Sequence, residues 1–311
     1  MEPNYSLIIP VYNLATSLPE LVKRIDETFS SINQTYEIIF VDDGSENIET
    51  LEKMKQLQAI YPKKITIISL FTNSGQQSAI LCGIKNATGK SLITLDGDLE
   101  HRPEDIPNLI KNLKDNDIVF GLFKTKTHGL IKRILSAIYS YIERLALKYP
   151  KGTKRSAFWL MTRELGEIIL NFNTLYPNIS IMSVVSTKKI ESAEVIQGTR
   201  SEGTSQWTFS MLIRLASSLF INNTSILLRF YAFTGVILSM TSFLFGLYIL
   251  YIKLFTDNYV VPGTTAIFVS ILFFSGIIIL GISLVGEYLV RVLQNVEKKP
   301  LYNIRYKIPK K

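Results

Sequence analysis

The chain has 311 residues, 47% of them hydrophobic, which is enough for one large domain with an appendage or for two ordinary domains. A net charge of +8 suits an anionic membrane surface or phosphorylated ligands; without zinc spacings, an RNP-like run or a basic zipper, no nucleic-acid partner is expected. The single cysteine, Cys82, excludes an internal disulfide framework, and Met1-Glu2-Pro3-Asn4 lacks the basic region of a signal peptide.

Ser6 to Tyr12 (SLIIPVY) reads as a strand and Ser17 to Ser31 as an amphipathic helix. Tyr36 to Val41 is a second strand, ending at Asp42-Asp43-Gly44-Ser45, and Ile48 to Ile60 a second helix. Strand Ile65 to Leu70 follows, then Asn73-Ser74-Gly75, a short helix through Ala87 and strand Ser91 to Leu95, which stops at Asp96-Gly97-Asp98. Pro103 opens a helix to about Leu113, and Asp117 to Gly121 is a further strand. Strands alternating with helices at this spacing predict βαβ units and a mainly parallel sheet, in which ligands bind beyond the carboxyl ends of the strands.

Two later segments carry helical apolar stripes. Ile131, Ile134, Leu135, Ile138, Ile142 and Leu145 form one, with two open readings, cover for the sheet or an interfacial helix. Apolar residues at 207, 211, 212, 215, 216, 219 and 220 form the other, predicted to lie in the membrane plane. Phe230 to Ile252 and Thr264 to Val285 are then unbroken apolar runs, and a helix of about 20 such residues crosses a bilayer. The tail after Glu287 carries Arg291, Lys298, Lys299, Arg305, Lys307, Lys310 and Lys311. The positive-inside rule therefore places the tail in the cytoplasm, and two spans put the N-terminal part there too.

Asp96 and Asp98, one residue apart at a strand end, can share one hard divalent ion that keeps waters and takes its other ligands from substrate phosphates. Asp42 and Asp43 can accept hydrogen bonds from a nucleobase and ribose, or instead cap the helix that begins at Ile48. His101, next to the carboxylates, reads as a solvated loop histidine or as a contact to the donor, and Cys82 as a small core residue.

Pro10-Val11-Tyr12-Asn13, Val41-Asp42-Asp43-Gly44-Ser45, Asn73-Ser74-Gly75-Gln76-Gln77 and Asp96-Gly97-Asp98-Leu99-Glu100 resemble, in this order, the motifs of family 2 glycosyltransferases of the GT-A fold. Arg200, Gly203, Ser205 and Trp207 (RSEGTSQW), Gly286-Glu287-Tyr288-Leu289-Val290-Arg291 and Lys299-Pro300-Leu301-Tyr302 resemble one branch of that family. This branch contains dolichyl-phosphate mannose synthases and bacterial undecaprenyl-phosphate glucosyltransferases. The resemblance implies that Pro10, Tyr12, Asp42, Asp43, Gly75, Gln76, Asp96 and Asp98 bind the donor. It implies further that Asp96, Asp98 and Glu100 ligate Mg²⁺ or Mn²⁺, that Lys124, Arg133, Arg200 and Ser205 meet the acceptor phosphate, and that Asp98 and Arg200 are catalytic. One position departs from the pattern. Relatives have a G-D-F-R-L segment whose Asp is the proposed base, and the best match, Ser156-Ala157-Phe158-Trp159-Leu160, has Ala157 in that place.

The expected organisation is a cytoplasmic α/β GT-A domain over 1–204, an interfacial helix over 205–226, a transmembrane hairpin over 227–286 and a basic tail over 287–311. The expected partners are a nucleotide sugar such as UDP-glucose, a polyprenyl (undecaprenyl) phosphate and the inner membrane; a homo-oligomer is left open. The expected reaction is inverting sugar transfer giving a lipid-linked monosaccharide. The alternatives are another membrane acceptor, or a catalytically silent membrane scaffold.

Overall fold

The computed structural model describes residues 2–123, 155–172, 174, 177–198 and 300–311, with scattered residues between 233 and 296. The chain divides into two compact units, one of Met1–Gln206 with Lys298–Lys311 and one of Trp207–Glu297.

The first unit is built on runs of β-branched residues. Strands β1 (Tyr5–Val11), β2 (Tyr36–Asp42), β3 (Ile65–Leu70) and β4 (Ser91–Thr94) are buried along almost their whole length. Burial on both faces is the mark of central strands in a helix-covered parallel sheet. Helix α1 (Leu18–Ser31) buries Leu18, Leu21, Val22, Ile25 and Phe29, one apolar stripe, while α2 (Ile48–Ile60) starts at Asn47, whose side chain accepts the Glu49 N–H. Helices α3 (Gln76–Asn86) and α4 (Ile106–Leu113) follow, the latter after a 3₁₀ turn at Pro103–Asp105, and then β5 (Ile118–Phe123). Beyond it come β6 (Trp159–Thr162), α5 (Arg163–Leu170), α6 (Ile179–Ser186), β7 (Ile190–Val195) and β8 (Ile304–Ile308).

The sheet order is β7-β5-β6-β4-β1-β2-β3-β8. Strands β4-β1-β2-β3 run parallel, as does the β5–β7 pair, while β6 is antiparallel to β4 and β5, and β8 to β3. The period of two decides the cores: Leu7, Ile9, Ile38 and Phe40 face α1, and Ile8, Ile39 and Val41 face α3. Helix α3 sits so close to β1 that a Cβ at Gly83 would lie 2.3 Å from Ile8 Cγ2.

The segment read as a basic tail holds the sheet's eighth strand. Its docking uses side chains along α2 and the amino end of the sheet. Gln58 Nε2 donates to the carbonyls of Ile65, Ile308 and Pro309 at 3.0, 3.1 and 3.2 Å. The Lys310 ammonium pairs with the buried Glu37 carboxylate, and the Lys311 N–H reaches the Pro62 carbonyl at 2.7 Å. β8 thus covers the edge that β3 would otherwise leave unpaired.

In the second unit, Ile237, Met240, Leu244, Tyr248, Tyr251 and Phe255 are helical, spaced three or four apart, and exposed. Ile267, Ile271, Phe274, Ile278, Ile282, Val285 and Leu289 repeat the pattern. Among the described residues no helix is long and apolar enough to cross a membrane. Most of the two apolar runs, and both stripes at 131–145 and 207–220, lie outside the described residues.

Candidate active site

The carboxyl ends of β1, β2 and β4 and the loop after β3 open into a cavity of about 400 Å³. Pro10, Val11 and Tyr12 line it at the end of β1, Asp43 just after β2, Asn73, Gly75 and Gln76 at the loop into α3, and Asp96, Gly97 and Asp98 just after β4. Seven sequence-predicted donor residues therefore share one cavity: Pro10, Tyr12, Asp43, Gly75, Gln76, Asp96 and Asp98.

Asp43 shapes the loop that carries two of them. Its Oδ1 accepts the Ser74 N–H at 2.7 Å and its Oδ2 the Gly75 N–H at 2.9 Å. Burial pushes its carboxyl above the ordinary range; the two N–H groups oppose this and neighbouring Asp42 adds to it. Gly75 has φ +89° and Gly44 φ +69°, and a Cβ at Gly44 would lie 2.6 Å from the Thr72 carbonyl carbon. Both turns need glycine.

Asp42, also expected to bind the donor, is placed differently from Asp43. It is 4% exposed and does not line the cavity. Its Oδ1 accepts the Ser45 N–H at 3.0 Å and its Oδ2 the Ser69 hydroxyl at 2.9 Å, so it braces the β2 loop against β3. Neither Asp caps α2, because Asn47 does. Asn13 completes the brace: its N–H donates to Ser45 Oγ, and its Oδ1 accepts the N–H groups of Glu46 and Asn47.

Just beyond β4, Asp96 Oδ1 accepts Gln76 Nε2 at 2.6 Å, and Asp98 Oδ1 accepts the Glu100 N–H at 3.1 Å. Two carboxylates one residue apart on the cavity wall suit a hard divalent ion whose remaining ligands are water and phosphate oxygens. The predicted third ligand does not join them. Glu100 Oε1 accepts Gln197 Nε2 at 2.9 Å, and among the described residues no group of three His, Cys, Asp or Glu side chains could hold a metal.

His101 is not solvated. It is 4% exposed, stacked against Phe158 and Phe123 with ring centroids at 5.2 and 5.6 Å, and its Nδ1 accepts the Asp96 N–H at 3.2 Å. Sequence reasoning missed it because its stacking partners stand 22 and 57 positions further along the chain, and no local pattern announces them. Cys82 is a buried core thiol, raised to about 11 by burial.

Of the acceptor-side residues, Lys124, Arg133, Arg200 and Ser205 lie outside the described residues. The chain leading to Arg200 is anchored, however: the Gly198 N–H donates to the Glu100 carbonyl at 2.9 Å, and Gln197 bridges to His101. A Cβ at Gly198 would lie 2.2 Å from the Leu99 carbonyl oxygen, so only glycine permits this approach. Ala157 is exposed, two residues before Trp159, which pairs with Thr94, two residues before Asp96. Position 157 therefore falls at the same end of the sheet as the paired carboxylates. Trp159 is 1% exposed within the core.

Similar proteins extend along nearly the whole chain. The undecaprenyl-phosphate 4-deoxy-4-formamido-L-arabinose transferase of Klebsiella pneumoniae (strain 342) is 28% identical over 302 residues, covering 96% of this chain and 92% of that one. Its namesake from Pectobacterium atrosepticum is 29% identical, covering 97% and 93%. The uncharacterized glycosyltransferase YkcC of Bacillus subtilis (strain 168) is 28% identical, again covering 97% and 93%. Among solved structures, glucosyl-3-phosphoglycerate synthase from Mycobacterium tuberculosis, in complex with Mn²⁺, UDP-glucose and phosphoglyceric acid, shares the fold at a TM-score of 0.51. That match has 14% identity and covers 70% of this chain and 78% of that one. The family profile described as glycosyl transferase family 2 matches residues 6–169, just over half of the sequence and all of the residues that line the cavity. The chain belongs to glycosyl transferase family 2.

Proposed function

We propose that this enzyme transfers a sugar, with inversion, from a nucleotide-sugar donor to polyprenyl phosphate at the cytoplasmic face of a membrane. The observation that carries this reading is the convergence of Asp43, Gln76, Asp96 and Asp98 on one cavity at the carboxyl ends of the strands. The full-length similarity to proteins named as undecaprenyl-phosphate sugar transferases supplies the acceptor class.

Pro10 and Tyr12 would flank the nucleoside, and the loop braced by Asp43 would shape the pocket for its ribose. Asp96 and Asp98 would hold Mg²⁺ or Mn²⁺. When bound, such an ion neutralises charge on a departing diphosphate. Arg200, with Lys124, Arg133 and Ser205, would bind the acceptor phosphate; arginine offers a fixed fork for its oxygens. The acceptor oxygen forms the new bond to the anomeric carbon as the bond to the nucleoside diphosphate breaks. A phosphate monoester loses its second proton near pH ~6, so the acceptor is already a nucleophilic anion at neutral pH, and Ala157 need not be replaced by another base.

Membrane attachment is part of the proposal. The first unit takes in both Met1–Gln206 and Lys298–Lys311, with β8 in its sheet, and an even number of membrane spans between them would be compatible with this. Spans at Phe230–Ile252 and Thr264–Val285 meet that condition, and the exposed apolar positions in 237–289 suit lipid contact. Ala157 favours a second reading, a silent scaffold, because a carboxylate is missing at the edge of the site. Transfer to another membrane acceptor is the remaining enzymatic alternative. Membranes bearing the protein, given a panel of nucleotide sugars beginning with UDP-glucose, should release nucleotide only when polyprenyl phosphate and Mg²⁺ or Mn²⁺ are both added. Release that ignores the lipid would refute the acceptor, and no release with any donor would favour the scaffold.

A further inference from the structure

We infer that His101 is a positioning residue, which fixes the Asp96 backbone from behind and ties the donor side of the site to the acceptor side; the inference rests on the glycosyl-transfer reading. The imidazole is buried and stacked between Phe123 and Phe158, with interplanar angles of 16° and 27°. Its Nδ1 accepts the Asp96 N–H at 3.2 Å, which requires the ring's lone pair there and its proton on Nε2. Nδ1 also lies 3.5 Å from Asp96 Oδ2, so the same atom limits where that carboxylate can turn. The His101 backbone bridges to Gln197, one residue before Gly198, whose N–H holds the Glu100 carbonyl.

The neighbours in sequence give this arrangement its meaning. Phe123 immediately precedes Lys124, Phe158 immediately follows Ala157, and Gln197 stands three residues before Arg200. Two of these segments thus meet on the imidazole and the third on the His101 backbone, while the ring holds the backbone N–H of a predicted metal ligand. A serine or alanine at 101 would leave a void between two aromatic rings and release the Asp96 N–H. A partner behind a metal ligand typically alters metal affinity by roughly 10–100-fold when it is removed.

The stacking and the hydrogen bond can be separated. His101→Phe keeps a flat ring between Phe123 and Phe158 but has no acceptor. His101→Asn keeps an acceptor oxygen near the Nδ1 position but has no ring. Both variants are made in the full-length protein in detergent and compared by hydrogen exchange of a 92–101 peptide and by the Mn²⁺ concentration for half-maximal lipid-linked sugar formation. Positioning predicts that His101→Phe unfolds within about 2 °C of wild type. It also predicts exchange in that peptide about tenfold faster and a Mn²⁺ requirement raised by roughly 10–100-fold. His101→Asn should unfold earlier yet keep the wild-type Mn²⁺ requirement. Wild-type exchange and Mn²⁺ dependence in His101→Phe would overturn the inference, since packing alone would then suffice. If wild type makes no lipid-linked sugar, the glycosyl-transfer reading fails, while the exchange comparison still decides whether His101 holds the Asp96 backbone.

Discussion

Replacing Lys310 by methionine should weaken the first unit at the amino end of its sheet. Glu37 lies at the amino end of β2 with its side chain 2% exposed, and its Oε1 accepts Ser6 Oγ, the Thr88 N–H and Thr88 Oγ1 at 2.6, 2.6 and 2.8 Å. Burial alone would raise its pKa; the Lys310 ammonium, assisted by Ser6 and Thr88, outweighs burial and holds the carboxyl below its ordinary value of 4.5. Removing one member of a buried pair costs about 3–5 kcal/mol. Lys310 is 29% exposed, and the three other donors remain, so about 2 kcal/mol is the reasonable expectation here. For a domain of this size that lowers the unfolding midpoint by roughly 4–8 °C.

The pH dependence follows from the direction of the shift. A depressed folded-state pKa gives stability that is fully present above 4.5 and is lost as pH falls through the lower folded value. The gap between wild type and Lys310→Met, followed by thermal unfolding in detergent, should be full at pH 7 and shrink below pH 4.5. A protonated Glu37 no longer needs the cation. A variant that matches wild type at pH 7, or a gap that persists undiminished into acid, would refute the reasoning.

Asp98→Asn should cut lipid-linked sugar formation on the order of 10²–10³-fold with an unchanged unfolding midpoint, because the amide oxygen can still receive the Glu100 N–H while the charge is gone. Gly44→Ala should cost at least about 2 kcal/mol in a denaturant titration, and should raise the donor KM more than it lowers kcat, because positive φ and the 2.6 Å approach to Thr72 both forbid a methyl. The rate at saturating donor should climb through pH ~6 and then level off, following the acceptor's own ionisation. Ala157→Asp should accelerate transfer, by up to about 10²-fold, because Trp159 is buried in the core and has not filled the place a base would use. An unchanged rate in that variant, or a profile governed by a different pKa, would show that another group serves as base.

The parallel centre of the sheet was legible in the sequence because each strand is a short run of Ile, Leu and Val that ends at an acidic or glycine turn. Strands β1 to β4 and helices α1 to α3 fall within a residue or two of the boundaries read from the sequence, and α4 begins three residues later than expected, after the 3₁₀ turn at Pro103–Asp105. β8 was not legible. Its sequence, IRYKI, alternates charge with apolar residues at a sheet edge, which reads as a basic tail until its partner β3, more than 230 residues earlier, is known. That strand also decides how the chain can be shortened. A chain cut before Leu227 would lack β8, leaving the edge of β3 unpaired and Glu37 buried without Lys310, so a soluble fragment needs residues 298–311 rejoined to it. In the site, the sequence identified the D-x-D pair and the Asp43 loop, since both sit at strand ends. It could not show that Asp42 turns away to Ser45 and Ser69, or that Glu100 turns to Gln197, because those side-chain choices depend on partners from other strands.

The central claim is tested most directly by identifying the product. Full-length enzyme in lipid, incubated with labelled nucleotide sugar, undecaprenyl phosphate and Mn²⁺, should form an organic-soluble species whose mass is that of one sugar joined to the lipid phosphate. Its anomeric configuration should be opposite to that of the donor, and Asp98→Asn should not form it. Free sugar alone, a product of retained configuration, or label on a lipid lacking phosphate would contradict the account.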